Sequence, residues 1–311
     1  MNKSTALFLL VAISLYSNAR GQDSYARRQD SSKEIHTAAT TTDTERTALD
    51  ILHIDSSYVL ESDLHRHGTS YGDQDALQNA IEYSHRFLIS GKIYLRLGFS
   101  YERFDFGSTS APVPNHLQSL AGLVALEYMV GNDVGAFISV RPGYYTENDF
   151  RQESFDYPIT LGRIFVLQQN QLYLFVGANA AFLRGQYPIL PLAGLIWRPS
   201  AQWNVYAILP EPRVTYSPSK RLSFYAGGQL VGSSFRTDRN DGIVPHRLSN
   251  AQIDYSEYRA GLGVEFHPCD HFSVNLGGGY DLLRRMNFDR ANVEFKSDPA
   301  PYARLAFRAE F

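Results

Sequence analysis

Lys92-Ile93-Tyr94-Leu95-Arg96-Leu97-Gly98-Phe99-Ser100-Tyr101-Glu102 decides the fold. Ile93, Leu95, Leu97, Phe99 and Tyr101 alternate with Lys92, Tyr94, Arg96, Gly98, Ser100 and Glu102. A period of two places successive side chains on opposite faces of a strand, so one face is apolar and the other carries charge. The pattern returns in Glu257–Phe266, where Tyr258, Ala260, Leu262, Val264 and Phe266 oppose Glu257, Arg259, Gly261, Gly263 and Glu265. It returns again in His271–Tyr280 and in Tyr302–Phe311, where Ala303, Leu305, Phe307, Ala309 and Phe311 oppose Tyr302, Arg304, Ala306, Arg308 and Glu310.

Alternation alone also fits a soluble sandwich. Two features point to a membrane instead. Several strands run to about ten residues or more, the length of a tilted bilayer crossing. The connections alternate short and long, as in barrels with short periplasmic turns and longer outer loops. Short turns are expected at Ser90-Gly91, 131–133, 168–170, 199–202, 217–220 and 268–270. Long connections are expected at Glu61–Ala76, 104–116, 146–156, 236–252 and Arg284–Pro301. Trp197, Tyr216 and Phe266 each precede a proline turn, where aromatics suit a membrane interface. In lipid every backbone group needs a partner, so the sheet is expected to close. The reading is therefore an all-β, antiparallel transmembrane β-barrel with an even number of strands, about 12–14. Three short segments between Ile189 and Tyr216 leave the count open.

The 311 residues include 20 Tyr, 19 Phe and 23 Gly and carry a formal net charge of -3. That balance gives no electrostatic ground for a nucleic-acid partner. The lone Cys269 excludes an internal disulfide. Lys3, the apolar run from Ala6 to Tyr16, and the small residues Ser17 and Ala19 predict a signal peptide over 1–19. Residues 20–48 are polar and aperiodic and are expected to be a disordered tail, with 49–311 the barrel.

Pro188-Ile189-Leu190-Pro191-Leu192-Ala193-Gly194-Leu195-Ile196-Trp197, with Leu209-Pro210-Glu211-Pro212-Arg213-Val214, resembles a family of uncharacterised bacterial outer-membrane β-barrel proteins. The resemblance implies the barrel and its location in the outer membrane of a Gram-negative cell. It implies no substrate.

Charges facing lipid near its midplane are costly. Arg96, Glu102, Glu127, Arg141, Glu257, Arg259, Glu265, Arg304, Arg308 and Glu310 are therefore expected to face the lumen, as ion pairs bracing the wall or as a polar pore lining. The expected function is a passive pore or small-solute channel. The alternative is an occluded structural or ligand-binding barrel, and the third reading is an outer-membrane lipid hydrolase. The hydrolase rests on His271 and Ser273, two apart on one strand, where an imidazole can activate a hydroxyl. Asp63, His65, His67 and Asp73 offer metal-ligand types without a fixed spacing. Gly277-Gly278-Gly279 opens no helix, so no nucleotide cofactor is expected. Phe311 ends the chain on an aromatic and is the expected assembly signal. The expected partners are outer-membrane lipid, the barrel-assembly machinery and a small solute.

Overall fold

In the computed structural model, which describes residues 49–130, 133–185 and 187–311, the chain is a closed antiparallel barrel of 14 strands with almost no helix. The strands are β1 (Asp50–Arg66), β2 (Thr69–Ser90), β3 (Ile93–Phe106) and β4 (His116–Val130), then β5 (Asp133–Val140, resuming as Gly143–Thr146) and β6 (Phe155–Asp156, resuming as Ile159–Gln168). Next come β7 (Leu172–Ala180), β8 (Ile189–Ser200), β9 (Trp203–Ala207) and β10 (Arg213–Ser219). The last are β11 (Leu222–Val231, resuming as Ser234–Arg236), β12 (Gln252–Cys269), β13 (Phe272–Phe288) and β14 (Val293–Ser297, resuming as Ala300–Glu310). All three short segments between Ile189 and Tyr216 are strands. The signal peptide and polar tail expected over 1–48 lie outside the described residues.

Each strand pairs with its neighbour, and β1 closes the ring on β14 from Ile51↔Glu310 to Val59↔Tyr302. Both ends of the barrel chain meet here, where the Leu49 and Asp50 amides donate to the Phe311 carbonyl at 2.7 and 3.0 Å. We call this the terminal end and the opposite one the far end. Three of the four strand interruptions fall at Pro142, Pro158 and Pro299, which have no N–H to give a ladder. The fourth is at Gly232, whose φ of 130° is open to glycine, and where a Cβ would meet the Tyr255 carbonyl at 2.1 Å.

The outward face carries exposed Leu97, Phe99, Leu126, Leu195, Leu262 and Leu276. Trp197, Trp203, Phe266 and Phe311 are exposed near the terminal end. This is the arrangement of an apolar band with an aromatic girdle.

Two of the long connections expected from the sequence are mostly strand. Glu61–Ala76 is the tip of a hairpin that turns at His67-Gly68, and Arg284–Pro301 turns at Asp289–Ala291. Their polar residues resemble a loop because the apolar alternation of the outward face stops in these strand ends. β2 is 22 residues long, about twice what a crossing requires. β9 and β10 have 5 and 7 residues, too few to cross. The wall is thus tall on one side and low on the other.

The tall side closes on itself at the far end. Arg236 of β11 pairs in parallel with Thr146 of β5, and the Glu147 amide donates to the Arg236 carbonyl at 3.0 Å. This contact passes over β6–β10 and forms a narrower far tier. Phe104, Phe235, Tyr255, Met286, Phe288 and Phe295 fill it as a buried core.

Candidate functional site

Below the far-tier core the lumen is occupied by buried charges in three groups. In the first, Arg86 Nε lies 2.7 Å from Glu127, and Arg96 reaches Glu127 at 3.5 Å and Glu82 at 3.6 Å. Arg141 completes it with two bonds of 3.0 Å to Glu82. Glu82, Arg86, Arg96 and Glu127 sit on β2, β3 and β4 and point inward because alternate positions share a face, and Arg141 joins them from the interruption of β5 beside Pro142.

The second group centres on Arg259, whose Nε donates to Glu257 at 2.6 Å and whose Nη1 donates to Ser57 at 2.8 Å. Ser57 donates on to Gln78, and Gln78 Nε2 donates to Glu102 at 2.7 Å. The guanidinium of Arg259 lies over the Tyr302 ring at 5.2 Å. Arg284 and Asp281 are buried beside it.

In the third group Arg304 donates to Asp55 at 2.6 and 3.0 Å and lies 3.2 Å from Glu211. Gln229 also donates to Glu211, at 2.7 Å. Nearer the terminal end, Arg308 donates to Glu310 at 2.7 Å, and His267 lies 3.2 Å from Glu265.

These positions account for all ten charged residues singled out above. Asp55, Glu82, Arg86, Glu211, Asp281 and Arg284 belong to the same groups and escaped the sequence reading. Alternation could have found Glu82 and Arg86, since Leu77, Ile81, Tyr83 and Phe87 line the opposite face of β2. Breaking a buried pair by removing one partner typically costs about 3–5 kcal/mol.

Small residues make room for rings between the groups. A Cβ at Gly263 or Gly277 would meet the Tyr225 hydroxyl at 2.4 or 2.5 Å, and one at Gly261 would meet that of Tyr302 at 2.5 Å. Gly277 therefore serves packing inside the lumen. Tyr225 donates to Asn275 at 2.7 Å.

His271 and Ser273 do not form a dyad here. His271 Nδ1 lies 2.9 Å from the Glu310 carbonyl oxygen, and its ring faces Phe311. Ser273 is paired with Arg308 across the sheet.

The low side of the wall holds a break in backbone pairing. β8 pairs with β9 only from Leu195 onward, so Ile189–Gly194 has no strand partner on that side. β11 pairs with β10 only as far as Gly227. Above that, the Gly228 and Leu230 amides donate to the carbonyls of Pro212 and Pro210 at 2.9 Å each. No strand pairing joins β8 to β11. Leu192, Ile196, Phe175, Tyr206 and Ile208 form a second apolar cluster on its β8 side.

Residues 181–185 reach across the far end from β7 toward β12. The Phe182 and Leu183 amides donate to Asp156, the Leu183 carbonyl accepts from Gln252 at 2.9 Å, and Arg184 donates to Asn179 at 2.8 Å. Burial pushes the Arg184 guanidinium down to about 10. On the far rim, Glu147 accepts from the Asp238 amide at 2.9 Å, and burial raises its carboxyl above the ordinary range.

No known protein family and no curated protein matches this chain, so the resemblance noted above gains no family assignment. Solved structures do match in form. An outer-membrane channel from Pseudomonas putida F1 is 11% identical over 89% of this chain and 100% of its own, with a TM-score of 0.47. The toluene transporter TodX of Pseudomonas putida is 11% identical over 85% and 90%, with a TM-score of 0.44. The translocator domain of the autotransporter NalP from Neisseria meningitidis is 9% identical over 86% and 90%, with a TM-score of 0.38. All three are similar to this chain as barrels, and they carry no information on its solute.

Proposed function

We propose that the chain is a barrel of the Gram-negative outer membrane that passes small, largely apolar molecules through the side of its wall, at the seam between β8 and β11. The terminal end then faces the periplasm and the far tier faces outward. The observation that carries the reading is the unpaired edge of Ile189–Gly194, set above strands too short to cross a bilayer. An open sheet edge at membrane depth is costly in lipid, so the wall is weakest there. Parting the seam breaks no ladder, whereas an axial route must unpack the far-tier core and the buried charges. The β8 side of the seam is lined by apolar Leu192, Ile196 and Ile208, which fits an apolar solute, while Glu211 and Gln229 lie on the β11 side, bonded to each other at 2.7 Å.

Proteoliposomes test it. Entry of the apolar dye N-phenyl-1-naphthylamine should exceed that of protein-free vesicles and fall in Leu192→Trp, which fills the seam. Glucose-driven swelling should stay near background. Swelling at a porin-like rate, unchanged in Leu192→Trp, would mean an axial pore. The buried ion pairs favour a second reading, a purely structural barrel, in which neither dye nor glucose enters.

A further inference from the structure

We infer that Asp63, His65 and Asp298 form a binding site for one divalent transition-metal ion of the zinc type, placed on the closing seam of the barrel. Asp63 and His65 lie on β1 and Asp298 follows the first segment of β14. Their ligand atoms all lie within 4.8 Å of one another. His65 Nδ1 is 3.9 Å from Asp63 and 3.7 Å from Asp298. Ligand atoms around a tetrahedral zinc ion sit about 3.3 Å apart, so a small rotation of each side chain brings them into range. One imidazole nitrogen with two carboxylate oxygens is a borderline donor set, suited to zinc over calcium or magnesium.

The strands hold this arrangement in place. The Asp298 amide donates to the Asp63 carbonyl at 3.1 Å, which fixes the two residues opposite each other. On the other side of β1, Asp63 is in register with Asp73 of β2. Three aspartates thus stand in a row across three adjacent strands, and like charges directly opposite in a sheet destabilise it. A bound cation removes that repulsion. Ser70 donates to Asp63 and orients it. Lys296, opposite His65, is drawn instead toward Glu294 at 3.5 Å. Asp63 and His65 are each about one-third exposed, so the site is open to solution.

The position gives the ion something to do. The β1–β14 ladder runs without a break to Val59↔Tyr302 and resumes only at Leu64↔Ser297. The interruption coincides with Pro299, which cannot donate. A metal held between β1 and Asp298 clamps the barrel's first and last strands at that gap.

Zinc titration of the folded, detergent-solubilised barrel by calorimetry tests the inference, with folding of every variant checked by heat-modifiable gel mobility. One Zn2+ per chain is expected. Affinity should fall by at least about tenfold in His65→Ala and Asp298→Asn, as loss of even an outer-shell partner costs that much. Zinc should also slow proteolysis of the 61–76 hairpin in the parent and leave both variants unaffected. No saturable zinc binding, or zinc binding of equal strength in the two folded variants, overturns the site. Calcium binding that survives His65→Ala overturns it as well, since the imidazole would then have no role.

Discussion

Arg236 and Thr146 pair in parallel at the far end, although five strands lie between β11 and β5 along the chain. Among the described residues every other strand pairing is antiparallel. The contact closes a second, narrower ring above the first, and the ring holds only if its interior is packed.

Phe235, one residue before the contact, tests this. It is fully buried, with ring centroids 6.1 Å from Phe104 and 6.5 Å from Tyr145. Phe235→Ala should cost about 3–5 kcal/mol, as for other buried aromatics. Urea unfolding in detergent measures it. A cost below about 1 kcal/mol would show that the far tier is not a packed core.

Opposite changes on the two faces of β12 should both destabilise the barrel. Leu262 is 70% exposed on the outward face, and Arg259 is 3% exposed on the inward one. Leu262→Arg should cost about 2–4 kcal/mol near the midplane. Arg259→Leu leaves Glu257 without its guanidinium and should cost about 3–5 kcal/mol. Urea titrations in short-chain lipid vesicles give both values. Full stability of either variant contradicts the assignment of its face.

A variant at Phe311 tests assembly apart from stability. Its ring packs edge-on to Phe272 at 5.5 Å, while its backbone bonds to Leu49 and Asp50. Phe311→Ala keeps those bonds, so refolding into detergent should be nearly unchanged. In cells the same variant should leave unassembled protein in the periplasm. Equal assembly of parent and variant at modest expression would reduce Phe311 to an interfacial anchor.

The far-rim latch should weaken as pH rises. Burial holds the Glu147 carboxyl above its unfolded value of about 4.3. Below that value both states are protonated and no penalty exists. As pH climbs through the folded value, the folded state carries the cost of ionising a buried acid, so stability falls. Proteolysis within 237–251 on the purified barrel should therefore quicken from acid toward neutral pH. Glu147→Gln should flatten that profile. An unchanged profile in the variant would assign the pH effect elsewhere.

The barrel was legible in the sequence because lipid imposes alternation wherever a strand crosses it, as in Ile93–Glu102 and Tyr302–Phe311. The even strand count followed from closure. Where lipid stops, legibility stops. The hairpin tip between Glu61 and Ala76 was expected to be a loop because its outward residues face water. The far-tier core is hidden for a related reason, since Phe104 and Phe295 fall in the connections expected over 104–116 and Arg284–Pro301. Phe104, Tyr255 and Phe295 are buried in strands that run on past the alternating segments. The seam depends on the unequal lengths of β8, β9 and β10, and turn spacing alone does not report which neighbour a strand stops short of. Asp298 is far from Asp63 in sequence, and only ring closure brings it beside His65.

The far-tier core also has a thermal consequence. Outward side chains along the hydrocarbon belt remain among apolar neighbours when the wall loosens within the membrane, so little hydration changes there. Phe104, Phe235 and Tyr255 would instead meet water. Exposure of apolar surface to water raises heat capacity, and burial of such surface stabilises less on cooling. The far tier should therefore carry most of the barrel's heat-capacity increment. Cold should loosen the tier at temperatures where the lipid-embedded wall beneath it is still intact.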